Sequence, residues 1–234
     1  MKIYTLLLFF LVNLLESTIF EIETIKQVKD LGDHETLVLF DIDHTILQSI
    51  FSSRPRKTQY ITNLIDFFFT NILTNFILES AILPFLSNIR QFIPEKVTEP
   101  EFISLIHSLQ KKNIPTLALT KRLAIPGDIT AQQLKKIDID FSVPPFTQKT
   151  IDLTPPAQFT EGIILTGGKN KGSVLSEFLK KTKRNFKKIT LIDDKLKNLQ
   201  DVNEATKKLN INFTGIRYGY LDNKEQLCRF LKLL

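Results

Sequence analysis

Apolar residues fall along this chain in two alternating rhythms. Short unbroken runs, each rich in Val, Ile, Leu or Phe, occur within Thr36–Asp43, Ile114–Thr120, Glu161–Leu165, Lys188–Asp193 and Asn212–Tyr218. Runs of that length and composition predict strands buried on both faces of a parallel sheet. Between them the apolar residues switch to a three-to-four spacing. Phe102, Leu105, Ile106 and Leu109 predict a helix over Pro100–Lys112, and further helices are expected over Asp128–Ile137, Ser173–Lys180 and Lys224–Leu234. Ile22, Ile25, Val28 and Leu31 give the same spacing over Glu21–Leu31, with Gly32 as a stop. Pro144, Pro145, Pro155 and Pro156 mark the segment after Ile139 as irregular or a small strand excursion. Strands alternating with helices predict an α/β protein, with a Rossmann-like three-layer parallel sheet.

Two stretches break the alternation. After Arg54-Pro55-Arg56 the sequence becomes dense in Phe, Ile and Leu, with Leu64, Phe68, Ile72 and Phe76 at helical spacing and Asn63, Asp66, Asn71, Asn75 and Glu79 interleaved. Those polar residues argue against a span buried in lipid. Thr58–Ile93 reads as two or more helices inserted after the first strand, forming a small cap in an insertion of about residues 50–98. The helices could equally cover the sheet face, or present a surface to lipid or protein, because Phe67, Phe68 and Phe69 cannot all point inward from one helix. The second stretch is the amino terminus. Lys2, the apolar segment Ile3–Val12 and the small residues Ser17 and Thr18 fit a secretory signal peptide. The segment is short for a membrane span. No Ala-x-Ala pattern follows it, so an uncleaved anchor and a buried helix stay open as alternatives. The expected division is a leader or anchor at 1–20 and one domain at 21–234. Localisation follows from it: exported to the periplasm or beyond if the leader is cleaved, membrane-anchored if not.

Composition narrows the picture. At 234 residues, 43% hydrophobic and 24% charged, the chain is an ordinary globular protein able to bury a full core. The net charge of +6 suits an anionic partner. Its lysines fall mainly on helix-like stretches such as Lys180–Lys188, where they read as solvated faces. No groove-reading helix or base-stacking motif is visible, so nucleic acid is not an expected partner. A single cysteine, Cys228, excludes an intrachain disulfide and a thiolate zinc cluster. His34, His44 and His107 show no metal-ligand spacing.

The chemistry gathers at the strand ends. The run Val38-Leu39-Phe40 closes on Asp41-Ile42-Asp43-His44-Thr45. In open parallel sheets, ligands bind just beyond the carboxyl ends of the strands. Two carboxylates so close repel unless a cation or a proton lies between them. They would bind a divalent metal through hard oxygens, or divide into a nucleophile and a proton donor. A solvated strand end is the plain alternative. Thr120 ends the second strand with a hydroxyl able to bond a phosphate oxygen. Lys171, at a helix entrance, can set an ammonium against a phosphate, or simply be solvated. Gly167–Gly172 lacks the order of a P-loop. Asp193 and Asp194 end the fourth strand as adjacent acids, which are costly without positive charge nearby, and Asn198 follows one turn on.

Taken in order, Asp41-x-Asp43-x-Thr45, Thr120, Lys171 and Asp193-Asp194 resemble the motifs of the haloacid dehalogenase (HAD) superfamily. The similarity covers roughly residues 35–222, and it is closest to a bacterial branch of HAD-like proteins that carry signal peptides, a domain of unknown function. The resemblance implies Mg²⁺ held by Asp41, Asp193 and Asp194, with Asp43 contributing its backbone carbonyl. It implies Asp41 as nucleophile, Asp43 as general acid and base, and Thr45, Thr120 and Lys171 as phosphoryl binders, supported by Asn198. Asp43 points to phosphate transfer rather than dehalogenation. A Mg²⁺-dependent phosphatase acting on a small phosphorylated substrate chosen by the cap is therefore the expected function. The alternative is an exported binding or host-interaction module of the same fold with little turnover. Adjacent acids at 193 and 194, and Lys121-Arg122 after Thr120, depart from the usual pattern.

Overall fold

The computed structural model describes residues 17–49, 94–124, 129–144 and 150–222. The expected cap helices of Thr58–Ile93, residues 1–16 of the leader or anchor expected at 1–20, the closing helix expected at Lys224–Leu234 and Cys228 lie outside these residues. Ten strands are present among the described residues: β1 Ser17–Ile22, β2 Thr36–Phe40, β3 Leu47–Ser49, β4 Glu95–Val97, β5 Thr116–Thr120, β6 Thr150–Asp152, β7 Gln158–Thr160, β8 Ile163–Leu165, β9 Lys188–Asp193 and β10 Asn212–Tyr218. Four helices accompany them: α1 Glu101–Lys111, α2 Ile129–Lys135, α3 Lys171–Thr182 and α4 Leu196–Lys208.

Eight strands form one sheet in the order β1-β10-β9-β2-β5-β8-β7-β6. From β1 to β8 the neighbours run parallel, and β7 and β6 close the edge antiparallel. Alternate residues of each central strand enter opposite layers. Val38, Phe40, Ala118 and Ile192 pack with Phe102 and Ile106 of α1 and Leu134 of α2. Leu37, Leu39, Leu117, Leu119 and Leu191 pack with Val174 and Phe178 of α3 and Leu199 and Val202 of α4. Burial on both faces is why the strands read as continuous apolar runs. Full burial of a side chain such as Phe178 stabilises by about 1.5–3 kcal/mol. From β2 the chain winds outward through β5 to β8. It then returns to the other side of β2 through β9 and β10, so the order reverses at β2 and opens a crevice at the carboxyl ends of β9 and β2.

One segment differs from expectation, and two others form pairings that the apolar pattern does not announce. Glu21–Leu31 is no helix: it comprises the end of β1, a 3-10 turn at Ile25–Gln27 and a loop. Ile22, Ile25 and Leu31 are buried, so the helical spacing reflects three separate anchoring points. Buried Glu99 fastens this segment, accepting hydrogen bonds from Thr24 Oγ1 at 2.5 Å, the Ile25 amide at 2.7 Å and the Tyr218 hydroxyl at 2.6 Å. Next, Ser17–Phe20, which a leader boundary at residue 20 would remove, pairs with Phe213–Ile216 in the sheet. The backbone ladder, rather than apolar side chains, places it there. Finally, Glu95–Val97 within the expected helical insertion is a strand, and it forms an antiparallel ribbon with Leu47–Ser49. The chain thus leaves toward residue 50 and returns from residue 93 through two paired strands.

Candidate active site

Beyond β2 the chain turns sharply. His44, with φ of 63°, lets its amide reach the Leu47 carbonyl at 2.8 Å, and the Leu47 amide reaches the Ile42 carbonyl at 2.8 Å. The Asp41 amide is tied across the sheet to the Ile192 carbonyl of β9 at 2.9 Å. This turn faces Asp41 and Thr45 toward the end of β9. Thr45 is fully buried, accepts from the Asp194 amide at 3.2 Å and lies 3.4 Å from Asp41 Oδ2.

Lys171 enters from the opposite layer. It is the first residue of α3, two residues earlier than the sequence spacing suggests, because Asn170 caps the helix by accepting from the Ser173 amide at 2.9 Å. Gly172 lets α3 approach α4 at backbone contact: a Cβ there would lie 2.1 Å from the Asp201 carbonyl oxygen. That approach carries Lys171 inward until it is completely buried. Its Nζ donates to Asp41 Oδ1 and to Asp193 Oδ2, each at 2.6 Å. Asp193 is further held by Asn198 Nδ2 at 2.9 and 3.1 Å and by the Lys195 amide at 2.8 Å.

One ammonium therefore bridges two acids, with Asp194 beside them. Among the described residues, ligand oxygens of Asp41, Asp193 and Asp194 lie within 4.8 Å of one another. Burial pushes the Asp41 carboxyl up to about 8, Asp193, Asp194 and Asp43 adding to the effect and Lys171 opposing it. Burial and then Asp193 raise Asp194 to about 7. Burial works against the Lys171 charge, but Asp193 and Asp41 outweigh it and hold the ammonium protonated above its ordinary range. Among the described residues, Asp194 Oδ1 and Asn198 Oδ1 are buried without a hydrogen-bond partner. Hard oxygens, surplus negative charge and an unsatisfied carboxylate oxygen all fit a divalent cation of the Mg²⁺ or Ca²⁺ type.

Asp43 sits in a second cluster. Arg122 donates to its carboxylate from Nε at 3.1 and 3.1 Å and from Nη2 at 2.7 Å. The same Nη2 bonds Glu95 of β4 at 3.0 Å to both oxygens, and Nη1 bonds Gln133 of α2 at 2.7 Å. The Asp43 carboxylate is thus turned to Arg122 and is not among the three acids grouped about Lys171. Thr120 is fully buried at the end of β5, and its Oγ1 accepts from the Arg122 amide at 3.3 Å. The glycine turn after β8 extends this edge, the Gly167 amide reaching the Arg122 carbonyl at 3.0 Å. Asp41, Asp43, Asp193 and Asp194 were expected from the sequence, whereas the parts played by Arg122, Glu95 and Gln133 were not. A basic pair placed directly after a strand-end threonine was the available signal.

Fold and site define a parallel α/β protein with a buried, lysine-bridged acidic cluster at the carboxyl ends of neighbouring strands. The chain belongs to the family described as "Protein of unknown function (DUF2608)", which matches residues 18–232. It is similar to a "Putative outer membrane protein" of Chlamydia pneumoniae, 27% identical over 155 residues that span 63% of this chain and 59% of the relative. A protein of the same description from Chlamydia trachomatis is 29% identical over 116 residues, spanning 49% of this chain and 43% of the relative. The matches thus cover about half the length of these relatives. Two solved structures are also similar. One is a "putative haloacid dehalogenase-like hydrolase" from Burkholderia xenovorans, with 12% identity, TM-score 0.45, and coverage of 80% of this chain and 84% of that one. The other is a HAD family enzyme from Bacteroides thetaiotaomicron, with 15% identity, TM-score 0.39, and coverage of 79% and 94%. Among the described residues no helix is long and apolar enough to cross a membrane.

Proposed function

We propose that this protein is a hydrolase of phosphate monoesters, working through Asp41 and a divalent cation, most simply Mg²⁺. The observation that carries this reading is the clustering of Asp41, Asp193 and Asp194 oxygens within 4.8 Å of one another, with one buried ammonium bonded to only the first two and an oxygen of Asp194 left unsatisfied among the described residues. Asp41, Asp193 and Asp194 would hold the cation, which supplies positive charge beside the phosphoryl oxygens. An Asp41 carboxylate oxygen attacks phosphorus, the bond to the ester oxygen breaks, and Asp43 gives that oxygen a proton. Water then attacks the phosphoaspartate, Asp43 takes a proton from it, and phosphate leaves with Asp41 restored. Thr45, Thr120 and Lys171 bind the phosphoryl group, and Asn198 holds Asp193 in register. Selection of the substrate falls to the insertion of residues 50–93.

Export is part of the same reading. The apolar segment Ile3–Val12 and the description shared by the two chlamydial relatives both support a protein of the cell envelope. That description also favours a second reading, an envelope protein of this fold whose role is binding rather than turnover. Hydrolysis of a broad panel of phosphate esters by the full chain, with Mg²⁺ and with chelator, separates the two. Phosphate release that requires the metal supports the hydrolase. A folded, Mg²⁺-binding protein inert on every ester would support the binding role.

A further inference from the structure

Arg122 is not among the expected metal or phosphoryl ligands, yet its side chain bonds three partners, Asp43, Glu95 and Gln133. Its side chain is 1% exposed, while the Asp43 carboxylate it grips is 35% exposed. A surface carboxylate ordinarily samples several rotamers. The planar guanidinium removes that freedom by meeting both Asp43 oxygens at once. Arg122 is itself fixed by three elements. Its backbone follows β5 and bonds Thr120 Oγ1, Nη1 reaches Gln133 on α2, and Nη2 reaches Glu95 on β4. Burial opposes the Arg122 charge, and the two carboxylates more than offset that opposition.

We infer that Arg122 is a positioning residue that sets the Asp43 carboxylate for proton transfer, and that Glu95 makes this setting depend on the β3–β4 ribbon. The inference rests on the phosphatase reading. The ribbon is the passage through which the chain leaves toward residue 50 and returns from residue 93. Its second strand brings Glu95 to the same Nη2 that binds Asp43, so a shift of the ribbon alters the partners of that nitrogen. Lysine in place of Arg122 keeps the charge but cannot present two parallel donors.

The test compares two esters that differ in their need for a proton. A phenyl phosphate leaving group needs a donor, whereas 2,4-dinitrophenolate leaves without one. In the full chain with Mg²⁺, Arg122→Lys should lower kcat/KM on phenyl phosphate at least about tenfold, because a displaced general acid loses much of its contribution. On 2,4-dinitrophenyl phosphate kcat/KM, which ends at phosphoryl transfer and leaves out the later step in which Asp43 is the base, should stay within about twofold. Glu95→Gln should shift the ratio of the two rates in the same direction by less. Equal losses on both esters would mark Arg122 as merely structural and overturn the inference, as would no loss on either. Failure of the unaltered chain to hydrolyse either ester would instead overturn the phosphatase reading beneath it.

Discussion

Two buried cations organise this site, and they do opposite things with the acids around them. Lys171 is a point charge set between Asp41 and Asp193, with Asp194 adjoining and one oxygen of that third acid unsatisfied. Arg122 is a planar fork that meets Asp43, Glu95 and Gln133, each with a hydrogen bond. The Lys171 cluster is short of positive charge, and its carboxyls respond by holding protons. The Arg122 cluster also joins two acids to one cation, but Asp43 is partly open to water, which offsets the deficit. The difference teaches how one sheet end can leave one cluster short of positive charge, which fits a further cation, and meet the charge of the other with a planar fork.

The largest effect should come from Asp41→Asn. Turnover should fall by about 10⁴-fold or more, as when a covalent nucleophile is removed. The melting temperature without metal should hold or rise, because a buried acid that resists ionisation has been neutralised. Lys171→Met should do the reverse to the fold. Stripping the cation from a buried ion-paired cluster should cost about 3–5 kcal/mol in denaturant unfolding, with part restored by Mg²⁺.

The pH dependence of stability sharpens the contrast further. Asp41 at about 8 and Asp194 at about 7 lie above the unfolded value of about 3.9. The folded chain therefore binds more protons than the unfolded chain between about pH 4 and pH 8. The contribution of these two carboxyls to the stability of the metal-free protein should be fullest below that window and decline as pH rises through it. Thermal melts along a pH series check this, and Mg²⁺ should flatten the decline by favouring the ionised carboxylates. A smaller effect is expected of Asn198→Ala. Loosening Asp193 should weaken Mg²⁺ binding by about 10–100-fold, read by calorimetry, with little change in fold. Smallest of all, Glu95→Gln should leave Mg²⁺ affinity unchanged, since its partner Arg122 serves the other cluster.

Much of this arrangement was legible because parallel strands announce themselves. Continuous apolar runs gave β2, β5, β8 and β9, and the polar residue ending each run was by topology delivered to the crevice. Lys171 was legible only through its order among the other motifs, since its burial depends on Gly172 allowing helix against helix. The spacing of Ile22, Ile25 and Leu31 misled, because three contacts from a strand end, a turn and a loop can mimic one helical face. Arg122 was read as a departure from pattern. Its partners Glu95 and Gln133 are distant in sequence, and only the folded chain brings a ribbon strand and α2 to one guanidinium.

The central claim is that Asp41 carries the phosphoryl group. Acid-quenching the full chain during turnover of a ³²P-labelled ester with Mg²⁺, followed by peptide mapping, tests it most directly. The expected result is one phosphoryl group on the peptide bearing Asp41, labile to hydroxylamine and absent from Asp41→Asn. Steady hydrolysis with no label on Asp41, or label on another residue, would contradict it.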